Sequence, residues 1–196
     1  MTRAAVDQVI YLLDESIEGV EQPWHSLLGN LNSVTGNDWL WVPPNGARTV
    51  RAITAHVGGA AYLYYDRVFG NCAVFGEPIT SWNVPAGNLG VGTEDLQSSG
   101  HLENEPPMAD VIAWVTERVR VFRDAVADLD DAALMEQRVN HRGDPRPIRW
   151  FVAIMIQHCN YHAGEINHIR ALHQGDDSPP ADADQSSDSD FGALRH

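Results

Sequence analysis

The feature that most constrains this chain is one apolar stripe. Ile148, Phe151, Met155, His158, His162, Ile166 and Ile169 follow one another at spacings of 3, 4, 3, 4, 4 and 3 residues. That is the period of an α-helix with one buried face. Two of its places are imidazoles one turn apart, so their rings share a face and can converge on one ion. A buried imidazole is poorly solvated once protonated, so two side by side need a reason. Neutral imidazole is a common ligand of zinc, nickel and iron. Two separately hydrogen-bonded core histidines are the competing reading.

A catalytic metal site takes three protein ligands and keeps a position open. His56, in TAHVGGA (54–60), is the candidate third ligand. It lies at the edge of the apolar face of a helix predicted from Thr49 to about Phe69, a face made by Val50, Ile53, Val57, Ala60, Tyr64 and Val68. Its neighbours Ala55, Gly58, Gly59 and Ala60 leave room around its ring. Each helical glycine costs about 1 kcal/mol relative to alanine, so Gly58-Gly59 implies close packing or a nearby ligand.

Other chemistries fail on spacing. A zincin motif needs Glu directly after the first histidine, where this chain has Cys159. Glu165-Ile-Asn-His168 fits the unit that di-iron bundles use twice, but there is no second copy. Neither a GxSxG nor a phosphate-binding loop occurs, and 87–92 is a loose glycine cluster. Cys159 points about 100° away from His158 and reads as a small buried hydrophobe. Glu165 and Asp66 are the candidates for a catalytic carboxylate. Glu165, three residues after His162, either orients that ring or acts as a base, or else pairs with Arg170 or a neighbouring helix. Asp66, ten residues after His56, is expected at the pocket rim, and Tyr62 in packing. His168 and His173 are read as helix-end residues favoured by the dipole. His25, His101, His141 and His196 are read as surface residues.

Val6, Val9, Ile10, Leu13, Ile17 and Val20 predict a first helix. Pro23 kinks it or restarts it, and Trp24, Leu27, Leu28 and Leu31 continue it until Gly36-Asn37. WLWVPPNG (39–46) is a turn-rich connector. A third helix begins near Pro106-Pro107, with Val111, Trp114, Val115, Arg118, Val121, Phe122, Ala125 and Leu129 along one side. Residues 70–107 hold six glycines and four prolines, an irregular stretch long enough to suggest a role in shaping the substrate pocket. Residues 130–147 read as polar loop, and no segment reads as a strand. The fold class is therefore all-α: a four-helix bundle over 1–174, with a long irregular loop between the second and third helices. An acidic, disordered tail is expected over 175–196; it supplies −5 of the net charge of −14.

That charge argues against nucleic acid and anionic membranes as partners. The hydrophobic fraction of 43% is enough for a core without staples. Two cysteines, Cys72 and Cys159, do not make a disulfide framework. Asp7, Asp14, Glu15 and Glu18 interrupt the first 20 residues, so no export signal is read, and a cytoplasmic location is expected.

The segment Trp39–Ala60, with its isolated histidine, and HCNYHAGEINHIR (158–170), with its H-x3-H followed by Ala-Gly-Glu-Ile, resemble the DinB/YfiT-like superfamily. The resemblance covers roughly residues 5–173. It implies a four-helix bundle, often a homodimer, whose divalent metal is held at positions matching His56, His158 and His162. Some such proteins are S-transferases that use bacillithiol, mycothiol or glutathione; others are isomerases or hydrolases. The expectation is thus a small-molecule enzyme with a divalent ion, zinc first, nickel or iron as alternatives, and a thiol cosubstrate. The rivals are a metal-dependent hydrolase and a non-catalytic, metal-stabilised or ligand-binding bundle.

Overall fold

The computed structural model describes residues 2–70, 89–176 and 178. Four long helices carry the fold: α1 (Ala4–Ile17), α4 (Val50–Val68), α6 (Met108–Ala127) and α7 (Ile148–Gln174). Short helices α2 (Leu27–Asn32), α3 (Gly36–Trp39) and α5 (Thr93–Gln97) lie in the connections. The long helices form a ring in the order α1, α6, α4, α7, each packed against the next and α7 closing on α1. The interior is filled by Leu13, Ile17, Ile53, Leu63, Val115, Phe122, Phe151 and Met155, all essentially inaccessible to water. This is an all-α four-helix bundle.

Helix boundaries follow local chemistry. The Thr49 hydroxyl accepts the Ala52 amide at 3.1 Å and caps α4. Pro147 precedes α7, and Gly175 ends it in the left-handed region at φ 69°, its amide donating to the Ala171 carbonyl. The first helix is shorter than its stripe suggests. Gly19 turns left-handed at φ 67°, so Val20 falls outside the bundle and is exposed. Pro23–His25 then form a single 3-10 turn before Ser26 caps α2. Gly36-Asn37 do not merely end a helix; they open α3.

Two further differences from the sequence expectation have clear causes. On α6 the buried positions are Val111, Trp114, Val115, Val119, Phe122 and Val126. The face is rotated relative to the predicted one, leaving Val121 and Ala125 half-buried. Residues 130–147 contain a small antiparallel hairpin, β1 (Gln137–Val139) with β2 (Pro145–Pro147). Pro145 and Pro147 lack amide protons, which removes the usual strand signature and confines β2 to an edge. Asn140 makes the turn, its side-chain oxygen accepting the amides of Arg142 and Asp144.

Gly58 and Gly59 have different reasons. A Cβ at Gly58 would lie 2.3 Å from the Trp114 ring, so α4 and α6 approach closely only because none is present. At Gly59 the nearest atom, Thr93 Cγ2, is 3.8 Å away. Gly58→Ala is expected to destabilise by about 1–3 kcal/mol through overpacking. Gly59→Ala should be neutral or stabilise by up to about 1 kcal/mol from helix propensity. Chemical denaturation of the two variants checks this contrast.

The segment 71–88, with Cys72, and most of the tail expected from 175 lie outside the described residues. The described part of the 70–107 stretch is not structureless. It contains α5, and Leu96 is buried in the core. Arg51 of α4, completely buried, holds it in place. The guanidinium donates to the carbonyls of Leu96 (3.1 Å), Ser98 and Gly100 (2.7 Å), and pairs with Glu105. No described helix is long and apolar enough to cross a membrane.

Candidate metal centre

His56 projects from α4, and His158 and His162 from α7, which packs against it. Ring centroids are 4.9 Å apart for His56–His158, 5.1 Å for His56–His162 and 4.5 Å for His158–His162. One ligating nitrogen from each lies within 4.8 Å of the others. Two donors at about 2.1 Å from one ion are at most about 4.2 Å apart, so gathering all three needs only small side-chain rotations.

The donor chemistry fits a divalent ion. His162 Nδ1 donates to Glu165 Oε2 at 2.7 Å, which leaves its Nε2 lone pair for a ligand. Arg48 Nη2 donates to the other oxygen, Oε1, at 2.6 Å. Both oxygens of Glu165 are therefore engaged, and it orients His162 instead of joining the ligands. It pairs with Arg48, not with Arg170, whose guanidinium bonds Asn167, Gln174 and the Ser178 carbonyl. His158 Nε2 is buried and has no hydrogen-bond partner among the described residues. The Gln97 side chain, at the end of α5, hydrogen-bonds His56. Among the described residues no fourth Cys, His, Asp or Glu joins the group.

Electrostatics keep the imidazoles neutral. Burial first, then the neighbouring rings and the Arg48 charge, hold His158 at about 3. Burial, His56 and Arg48 do the same for His162, again about 3. His56 is lowered by burial and Arg48. Metal-free protein therefore binds fewer protons folded than unfolded between about pH 6.5 and 3. Its stability should be full above about pH 6.5 and fall as pH drops through that value. Thermal melts in chelator at pH 7, 6 and 5 should show a falling midpoint; a flat profile would contradict neutral, buried imidazoles.

Asp66 sits ten residues along α4 from His56, about 15 Å down the axis. It is buried and is not one of the three grouped donors. Tyr62 packs under the Arg118 guanidinium, 5.5 Å from its ring centre. Cys159 is completely buried, and burial pushes its thiol up to about 12, so it is no nucleophile. His173 does more than meet a helix dipole. It stacks on Trp41 at 4.8 Å and donates from Nδ1 to buried Asp38 at 2.6 Å, tying α7 to α3. His168 is exposed, as are His25 and His101.

Arg48 and Gln97 carry no signal in the sequence. Arg48 is 117 residues from its partner, and Gln97 belongs to the irregular stretch.

Residues 20–166 match the DinB superfamily. The chain belongs to that superfamily. The match includes all three histidines and Glu165, and the bundle with its histidine cluster fits a metal-binding member. No curated protein matches this DinB-superfamily chain.

Proposed function

We propose that the protein is a divalent-metal-dependent enzyme that activates a low-molecular-weight thiol for transfer to an electrophilic small molecule, with His56, His158 and His162 as ligands. The observation that carries this reading is a cluster of three neutral donors from two helices, with no fourth protein ligand among the described residues. Such a centre suits catalysis, because structural sites are closed by a fourth ligand. A divalent ion held by neutral donors supplies Lewis acidity, which brings a thiol to its thiolate at neutral pH and water to a pKa near 7. Zinc is the first choice on availability; nickel and iron suit the same donors.

The chain's own groups hold and orient. Glu165 fixes the proton on His162 Nδ1, Arg48 fixes Glu165, and Gln97 fixes His56. The low basicity of the rings keeps their lone pairs free at neutral pH. A hydrolase is the second reading, since the same centre activates water. The superfamily's habit of pairing supports a homodimer, which light scattering would reveal as twice 21.6 kDa.

The test is direct. Zinc-loaded protein is assayed with glutathione, bacillithiol and mycothiol against a chromogenic haloarene, and separately with a nitrophenyl ester. Conjugation that disappears on chelation supports transfer. Ester cleavage without conjugation favours the hydrolase, and neither activity favours a non-catalytic bundle.

A further inference from the structure

On the far side of Glu165 and Arg48 lies a concavity of about 330 Å³, between the 43–48 connector and the last turns of α7. Its size is that of a small-ligand pocket. Pro43, Pro44, Ile169 and Leu172 give it apolar walls. Its polar groups are unequal. Its one carboxylate, Glu165, has both oxygens occupied, by His162 and by Arg48. What remains unspent is donor capacity. Arg48 is more than a third exposed and uses only Nη2, leaving Nη1 and Nε without a partner among the described residues. The exposed His168 imidazole shares the same wall.

Apolar walls around spare guanidinium donors specify the ligand class. An amine would meet the Arg48 charge, and the carboxylate that could attract it is already paired with Arg48. A neutral ligand would accept from the guanidinium without the second charge that makes such a bond strong. A carboxylate can take the guanidinium's remaining fork, one spare nitrogen together with the second Nη2 proton, while its hydrocarbon part lies on the prolines and Leu172.

We propose that this pocket binds the carboxylate of a small acid with an aromatic or short aliphatic body, anchored by Arg48. Arg48 then has two roles: it anchors the acid and it holds Glu165, which orients His162. That the acid is the substrate or cosubstrate rests on the metal-centre reading; that it binds does not. The acid therefore sits one carboxylate removed from the proposed ligand His162.

The experiment titrates benzoate, benzamide and benzylamine into the full chain by calorimetry, once zinc-loaded and once in chelator. Wild type, Arg48→Gln and Arg48→Lys are compared; Arg48 is partly exposed, so both variants should keep the wild-type circular dichroism. Benzoate is expected to bind both forms of wild type, at least about tenfold more tightly than benzamide or benzylamine. Arg48→Gln should lose about tenfold in benzoate affinity, and Arg48→Lys should recover part of it. Equal binding of benzoate and benzamide, or unchanged affinity in Arg48→Gln, overturns the proposal. Benzoate that binds only zinc-loaded protein, indifferent to Arg48, also overturns it, because the acid is then a metal ligand. Arg48-dependent benzoate binding in a protein that takes up no zinc upholds the pocket and removes the metal centre, so the two failures are distinguishable.

Discussion

His162→Ala should lower zinc affinity by at least about 100-fold while leaving the helical circular dichroism close to wild type. Orienting partners of ligands already cost about 10–100-fold when removed, and a ligand costs more. His162 is also the best-held of the three donors, with its tautomer set by Glu165 at 2.7 Å and Glu165 in turn set by Arg48. The bundle should survive, because Met155, Ile166 and Ile169 above and below it carry the buried face of α7. Glu165→Gln should act in the same direction but less, since an amide oxygen still accepts from Nδ1 without the charge. Competition with a chromogenic chelator gives both affinities. A variant that retains full zinc affinity would remove His162 from the site.

Arg51→Ala should be the most damaging substitution at a charged residue, at about 3–5 kcal/mol. Its guanidinium is fully buried and serves three carbonyls and Glu105. Removing one partner of a buried ion pair leaves the other uncompensated. For a chain of this length that corresponds to about 6–20 °C in the melting midpoint. Arg51→Lys should restore only part, because one ammonium cannot reach four acceptors spread along a segment. The same anchor holds α5, whose Gln97 meets His56. Zinc affinity in Arg51→Lys should therefore fall along with stability, whereas Gly58→Ala should change stability alone. Parallel melts and zinc titrations separate the two effects.

The legible parts of this protein were those written in periodicity. The spacing of four between His158 and His162 inside an apolar stripe put two imidazoles on one face, and their rings are 4.5 Å apart. Thr49 marked the start of α4 because capping chemistry is local. His56 needed more than periodicity, since it lies at the margin of its helix face; the need of the His158 and His162 pair for a third ligand supplied the rest. Contacts between side chains and distant backbone left no mark. Arg51 reads as an ordinary helical arginine, because its partners are carbonyl groups that every residue possesses. Arg48 and Glu165 meet only after α4 and α7 pack. Gly19 could equally have been a helical glycine, and only the fold shows it turning the chain. The hairpin at 137–147 hid behind two prolines for the reason that makes it an edge.

X-ray absorption at the zinc edge of the loaded protein tests the central claim most directly. Three imidazole nitrogens at about 2.0–2.1 Å plus one light, exchangeable oxygen or nitrogen ligand is the predicted shell. Fewer than three imidazoles, a protein sulfur at about 2.3 Å, or a shell unchanged in His56→Ala would contradict it.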